Sequence, residues 1–458
     1  MSEIYELSVK TLVKLIHNRE LTVSEVLNAF IRRIDIVNPQ INALINTNFD
    51  TARQLAFTAD QKLKNSNFLP APLFGVPFTA KDLYCVPNFI VTFGTKGLAN
   101  TVCHQETTVI TRLIEQDSIL LGLTNTPELG VSLETDNLVY GRTNHPTNPA
   151  YSSGGSSGGE AALIASYGSP MGLAGDHGGG ARHPAHCCGV FTLRPSLGRL
   201  PQTGSLIPRR GWVALTCRIA PMTHNIDDLE ILFHAIQGSD GFDPYAERPE
   251  PHKNISLQKE TRIAYLVDKH FSAFDTAIPA TIERICKQLL QDDMRVETIE
   301  TSLFEEGFTI AKQLFQADAG HGLKNLLKNL GTAEISPQMK VWLDQQPEEP
   351  MPLDKYFALW ARWDEYKLKF MQLFQTYDVL LCPVSPQCAL PHSATLQQDV
   401  VWSLIRYTAS ITLTECPVVV MPCGFNQQQL PIGMQIITKP WKDELALAMA
   451  KRIMDILN

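Results

Sequence analysis

Apolar residues recur at helical spacing through residues 7–37, a pattern that predicts two amphipathic helices. Thr22 or Ser24 is the candidate cap for the second. The stretch 50–66 reads as a further helix that runs out in polar Lys64, Asn65 and Ser66. Short apolar runs at 74–81, 88–93 and 118–124 read as strands, with a helix at 105–116 between the last two. Alternating strands and helices continue to about 235. Residues 238–258 are rich in Gly, Asp, Pro and Glu and read as a surface loop. From 261 to 375 the pattern is mostly helical, with a polar break from Pro347 to Pro352. Strands return at 378–382, 417–424 and 432–437, and a terminal helix covers about 442–456.

Composition narrows the function classes. The 458 residues could hold two or three average domains. Hydrophobic content of 44% and charged content of 19% suit a globular protein with a sizeable core. The net charge of −8 offers no basic footprint for nucleic acid or an anionic membrane surface. No apolar run approaches the roughly 18 residues of a membrane-crossing helix. The first residues, Met1 to Glu6, are acidic and lack a signal-peptide pattern, so a cytoplasmic location is expected. Ten cysteines are scattered without CxxC spacing. They read as free thiols in a reducing cytosol, with neither a disulfide framework nor a zinc site.

The densest chemistry lies in Ser152–Gly159, which reads SSGGSSGG and runs into Glu160-Ala161-Ala162-Leu163-Ile164-Ala165. A Gly/Ser run by itself is the composition of a flexible linker. This run is short, and its downstream flank is apolar and helix-forming, which argues for a built loop. Hydroxyls at a helix start cap it, bind anions or serve as nucleophiles.

The run resembles the signature loop of the amidase signature family. Leu73-Phe74-Gly75-Val76-Pro77-Phe78-Thr79-Ala80-Lys81-Asp82 is similar to that family's lysine strand. Thr124-Asn125-Thr126-Pro127-Glu128 resembles its TNxPE turn, and Gly189 to Arg199 its GLKPTxGR segment, with Arg194 for the usual lysine. Ala220-Pro221-Met222-Thr223 matches the GPMxR element loosely, and Tyr377–Pro383 and Cys416–Gln435 are similar to the closing strands. The matches are collinear from about Leu21 to the C-terminus. The resemblance implies an α/β fold, a single large mixed β-sheet sandwiched by helices, in one domain over 1–458. Within it, 1–70 would be N-terminal helices, 71–235 the signature core, 261–375 a helical pocket-forming region and 376–458 C-terminal strands and helix.

The resemblance also implies roles. Family members cleave amides with a nucleophilic serine, a bridging serine that follows a cis peptide bond, and a lysine, a relative of the Ser-His-Asp logic. Lys81 stands at the lysine position, where desolvation would favour the neutral base. Ser156 stands at the bridging position, after the Gly155-Ser156 bond, and Ser157 matches a supporting hydroxyl. The nucleophile turn reads Gly175-Asp176-His177-Gly178-Gly179-Gly180-Ala181-Arg182, and the nucleophile position is Gly180. Glycine can form no acyl-enzyme. The backbone N–H groups of His177, Gly178 and Gly179 would still face an oxyanion, and Asp176 and Arg182 would pin the turn. His177 is a base or nucleophile in one reading and fills space beside a shortened neighbour in the other. Cys187 and Cys188 are nucleophile candidates or small core residues, and Arg194 reads as structural. No cofactor and no metal are implied.

Three functions follow. One is a protein with impaired hydrolysis that binds an amide- or acid-like small molecule, an acyl ligand included. The second is an active amidase or esterase in which Ser156, His177 or water attacks. The third is an amidotransferase-like subunit. Partners are therefore a small molecule, with no nucleic acid and no membrane; a homodimer is compatible with the sequence.

Overall fold

The computed structural model describes residues 3–206, 210–247, 257, 261–266, 275–397 and 399–457. Among these, eleven strands build one sheet. They are β1 Leu44–Thr47, β2 Pro77–Lys81, β3 Ile119–Thr124, β4 Met171–Asp176, β5 Phe191–Arg194, β6 Arg218–Thr223, β7 Arg262–Tyr265, β8 Arg295–Thr298, β9 Val379–Pro383, β10 Val418–Phe425 and β11 Pro431–Thr438. The order across the sheet is β1-β3-β2-β4-β6-β5-β10-β11-β9-β7-β8. The β2–β3, β2–β4, β7–β8 and β7–β9 pairs are parallel and the remaining pairs antiparallel, which makes the sheet mixed. The central strands β2, β4, β5, β6, β9 and β11 are buried at every position, so they read as near-continuous apolar runs.

Helices cover the sheet because their apolar stripes have no other place to go. Thr22, not Ser24, caps the second helix, Val23–Ile41. Its Oγ1 accepts from Glu25 N at 3.1 Å, while Glu25 Oε2 accepts from Thr22 N at 2.8 Å. Ser24 Oγ instead donates to Asp60 at 2.5 Å. A second apolar core gathers Ile310, Leu314, Trp363, Tyr366, Phe370 and Ile411 from the helices Ser302–Gln316, Leu353–Thr376 and Arg406–Thr412.

Several expectations are corrected. Residues 88–93 form no strand; a lone bridge, Ile90 to Val102, replaces a ladder. Asn88 and Phe93 sit at φ 68° and 48°, which extended pairing does not permit. Thr92 is held by its N–H and hydroxyl to Asp82 at 3.0 and 2.5 Å. The helix expected over 105–116 is confined to Thr108–Ile114. The mostly helical region from 261 also supplies two strands, β7 and β8, too short and too polar to stand out. Of the loop expected over 238–258, residues 248–256 and 258 lie outside the described residues. The described start, 238–247, is irregular, and Arg112 ties its entry down through the carbonyls of Gln237, Gly238 and Ser239 at 2.9–3.0 Å.

The cysteine reading is also corrected. Cys85 and Cys103 are joined in a disulfide across 18 residues, and the other eight cysteines are thiols. The pairing staples the irregular stretch that follows β2, where backbone ladders are missing. Closing a loop of that size removes unfolded-state entropy worth about 3 kcal/mol. The unreduced, denatured protein should titrate eight thiols with a chromogenic disulfide reagent, rising to ten after reduction. Cys103→Ala should lower the unfolding free energy by about 2–4 kcal/mol in urea. Ten thiols before reduction would disprove the pairing.

Candidate functional site

Strands β2 and β4 run parallel and adjacent, so their carboxyl ends reach the same edge of the sheet. Such an edge is where open α/β sheets present chemistry. β2 ends on Lys81 and β4 ends on Asp176. The Ser152–Gly159 loop lies against the same edge and starts the helix Gly158–Ala165.

Lys81 and Ser156 meet there. Lys81 Nζ donates to Ser156 Oγ at 2.7 Å, both side chains being buried. The Gly155-Ser156 peptide is cis. Ser157 N donates to the carbonyl of Gly180 at 2.8 Å, and Ser157 Oγ bonds the backbone of Gly175, accepting from its N–H at 3.2 Å and donating to its carbonyl at 3.1 Å. The loop and the 175–182 turn are thereby stitched together.

Asp176 holds the turn. Its carboxylate accepts from Ala181 N, Arg182 N, Arg182 Nε and Arg182 Nη2 at 2.8–3.2 Å. Burial raises its pKa, but the Arg182 charge and hydrogen bonds, helped by Arg194, outweigh burial and hold it far below the usual carboxylate range. Arg194 also reaches the carbonyls of Cys416, Thr216 and Thr412 at 3.0–3.2 Å, a structural use of its charge. Gly178 and Gly179 take φ of 78° and 121°, the region that favours glycine. Thr408 Oγ1 donates to the Gly178 carbonyl at 2.7 Å. The N–H groups of His177, Gly178 and Gly179 bond no other described residue.

Lys81, Ser156, His177, Gly178 and Gly180 line one cavity of about 670 Å³ whose walls are largely apolar. Its volume suits a small-molecule ligand. Phe315, Asp318 and Trp342 bring the 261–375 region to its wall. The His177 ring packs on Trp212 and Phe315, with centroids 5.1 and 4.8 Å away, and its buried Nε2 has no hydrogen-bond partner among the described residues. It makes no hydrogen bond with Ser156. Cys187 and Cys188 are outside this cavity, packed in the core, and burial drives both thiols well above their ordinary pKa. Among the described residues no group of His, Cys, Asp and Glu could hold a metal ion, and no helix is long and apolar enough to cross a membrane.

Glu160 went unassigned in the sequence. It is fully buried beside Lys81, and its carboxyl accepts from Thr79 at 2.5 Å and Thr124 at 2.8 Å. Thr79 lies two residues before Lys81, and Thr124 is the register partner of Lys81 on β3. Gly172 makes the room: a Cβ there would fall 1.8 Å from Glu160 Oε1. The available signal was an acid in the first turn of an Ala-rich, apolar helix. Burial pushes its pKa up to about 7 from 4.5, against the pull of the two threonines and the Lys81 charge. Above about pH 4.5 the unfolded carboxyl releases a proton that the folded one retains, so stability falls as pH rises towards about 7. Glu160→Gln should flatten that decline in urea-unfolding free energies measured across the same range. An unchanged slope would exclude Glu160 as its source.

Comparison with known proteins identifies the family. Residues 25–447 match the model of the Amidase family. A glutamyl-tRNA(Gln) amidotransferase subunit of Sulfurihydrogenibium sp. (strain YO3AOP1) is 28% identical, over 99% of this chain and 98% of its own. The corresponding protein of Caldanaerobacter subterraneus subsp. tengcongensis is 27% identical, over 98% and 96%. Among solved structures, fatty acid amide hydrolase superposes with a TM-score of 0.89 at 21% identity, covering 99% of this chain and 86% of that one. The 6-aminohexanoate cyclic dimer hydrolase complexed with substrate gives 0.83 at 21%, covering 100% and 98%. The structural likenesses, at that identity, speak for the fold. With the family model spanning nearly the whole chain, this protein belongs to the Amidase family.

Proposed function

We propose that the cavity binds an amide- or acyl-bearing small molecule and that ordinary amide hydrolysis in it is strongly impaired. The observation that carries this reading is Gly180. A paired Lys81 and Ser156 flank it, and unbonded backbone N–H groups precede it, but position 180 supplies no hydroxyl. Lys81, Ser156 and Gly180 are the reacting constellation in this reading, His177, Gly178 and Gly179 the oxyanion side, and Ser157, Asp176 and Arg182 the supports. Losing a serine nucleophile in a comparable constellation costs on the order of 10⁶ in turnover, and oxyanion contacts with binding retain roughly 10³–10⁴ over water. That remainder does not sustain useful cleavage of an unactivated amide.

A second reading, an amidotransferase-like component of a larger enzyme, draws on the names of the curated relatives. It would need the same missing hydroxyl to work on its own.

Gly180→Ser tests the reading. Gly180 is not in the left-handed region, so serine meets no backbone penalty there. Its Cβ would come 2.7 Å from Ser156 Oγ and 2.9 Å from the Gly175 carbonyl. Both must shift: the backbone carbonyl does not move cheaply, and the Ser156 hydroxyl has to give way while it keeps Lys81. Hydrolysis of arylamides should rise at least about tenfold over the parent, or about 1.4 kcal/mol of barrier. Glutamine outpacing arylamides as substrate of this variant would favour the second reading. A folded, ligand-binding Gly180→Ser protein inactive on a broad amide and ester panel would overturn the assignment of position 180. Efficient arylamide cleavage by the parent protein would overturn the impairment.

A further inference from the structure

The absence of a side chain at position 180 does more than remove a group. It leaves Ser156 as the hydroxyl that borders the space beside position 180. The point a Cβ on Gly180 would occupy lies 2.7 Å from Ser156 Oγ, 2.9 Å from the Gly175 carbonyl oxygen and 3.6 Å from His177 N. Those are its three nearest neighbours. The space is thus bordered by one hydroxyl and by the start of the run of unbonded N–H groups at His177, Gly178 and Gly179. Ser156 lines the cavity, and its Oγ is 2.7 Å from Lys81 Nζ. Serine paired with lysine is a sufficient nucleophile–base unit in enzymes that have no third member.

We propose that Ser156, with Lys81 as its base, is itself acylated by activated acyl compounds such as aryl esters and thioesters, giving a covalent acyl-Ser156. This goes beyond the binding reading, because it assigns an activity to the chain as it stands. It does not depend on restoring position 180.

The step balances within the site. Lys81 in its amine form takes the Oγ proton as Oγ bonds to the carbonyl carbon. The carbonyl oxygen takes up the negative charge facing the backbone N–H groups of the turn. The bond from carbon to the aryl oxygen or thioester sulfur then breaks, and the leaving group either takes the proton from Lys81 or departs as the anion, Lys81 then releasing its proton to solvent, so that the amine is restored in both cases. Water reverses the sequence. It bonds to the acyl carbon and gives a proton to Lys81, and Ser156 Oγ leaves and recovers a proton from the Lys81 ammonium. The sum is aryl ester or thioester plus water to acid plus phenol or thiol. Aryloxides and thiolates leave without prior protonation, whereas an amine does not. Activated esters and thioesters are therefore the least demanding substrates of one hydroxyl and one base, since an amine leaves only when the Lys81 ammonium delivers its proton to it. The apolar walls, with Trp212, Phe315 and Trp342 among them, select aryl or medium aliphatic acyl groups over charged ones.

The test uses the unmodified protein with 4-nitrophenyl butyrate and 4-nitrophenyl phenylacetate. Stopped-flow release of nitrophenolate should show a burst, and intact mass should rise by one acyl group located on the Ser156 peptide. The acylation rate should increase with pH as Lys81 loses its proton. Ser156→Ala should abolish the adduct, and Lys81→Met should slow acylation by at least about 100-fold, the lower end of general-base contributions. Circular dichroism and binding of a non-cleavable amide check that each variant still folds and binds. Should Lys81→Met fail to fold, the Ser156→Ala result and the site of the adduct decide alone. No adduct and no ester turnover in the parent would overturn the proposal, as would an adduct elsewhere or turnover that survives Ser156→Ala. Binding of the amide without any acylation would leave the binding reading standing and remove this one. Acylation without amide binding would do the reverse.

Discussion

Asp176 ends β4 with its carboxylate fully buried, and Arg182 closes on it through Nε at 3.0 Å and Nη2 at 2.8 Å. Desolvating two such charges is expensive, and removing one partner leaves the other stranded at a cost of about 3–5 kcal/mol. The pair is tolerable because nothing in it goes unsatisfied. Arg182 Nη1 donates to Gln435 on β11 at 2.9 Å, and Nη2 also reaches Thr412 at 2.8 Å. Two Asp176 acceptor contacts go to the N–H groups of Ala181 and Arg182, which lock the turn backbone. One ion pair thus fixes the turn, the helix Arg182–Cys188, the middle of β11 and the helix Arg406–Thr412 relative to one another. The cavity wall and the direction of the free N–H groups follow from it.

Much of this was legible in the chain because the informative residues are ones that physics restricts. Gly178 and Gly179 stand where the backbone needs positive φ, and Asp176 and Arg182 are charges too costly to bury unpaired. Helices with long amphipathic patterns and good caps, such as Val23–Ile41, were equally readable. What escaped were features whose cause lies far off in sequence. β7 is a strand because β9 offers it an edge, and β8 because β7 in turn offers one. Residues 88–93 look like a strand in composition but are captured by Asp82 and the Cys85–Cys103 bond. Cysteine spacing alone gave no reason to pair those two. Glu160 directly follows the Ser/Gly run, yet its partners, Thr79 and Thr124, come from two strands that pattern alone does not bring together.

The contacts that hold the turn explain why it tolerates a glycine at position 180. Residue 180 contributes its carbonyl, bonded by Ser157 N, and nothing from a side chain. The conformation is set by Asp176 and Arg182 on one side and by Thr408, against which a Cβ at Gly179 would come within 2.5 Å, on the other. A side chain at 180 would start beside Ser156 Oγ, at the wall of the cavity. With glycine there, Ser156 Oγ still has its bond to Lys81. The fold therefore makes no demand for a side chain at this one position. The Lys81–Ser156 pair is intact and faces the cavity. Whatever the cavity binds meets a base and a hydroxyl in contact, in surroundings apolar enough to strengthen their interaction.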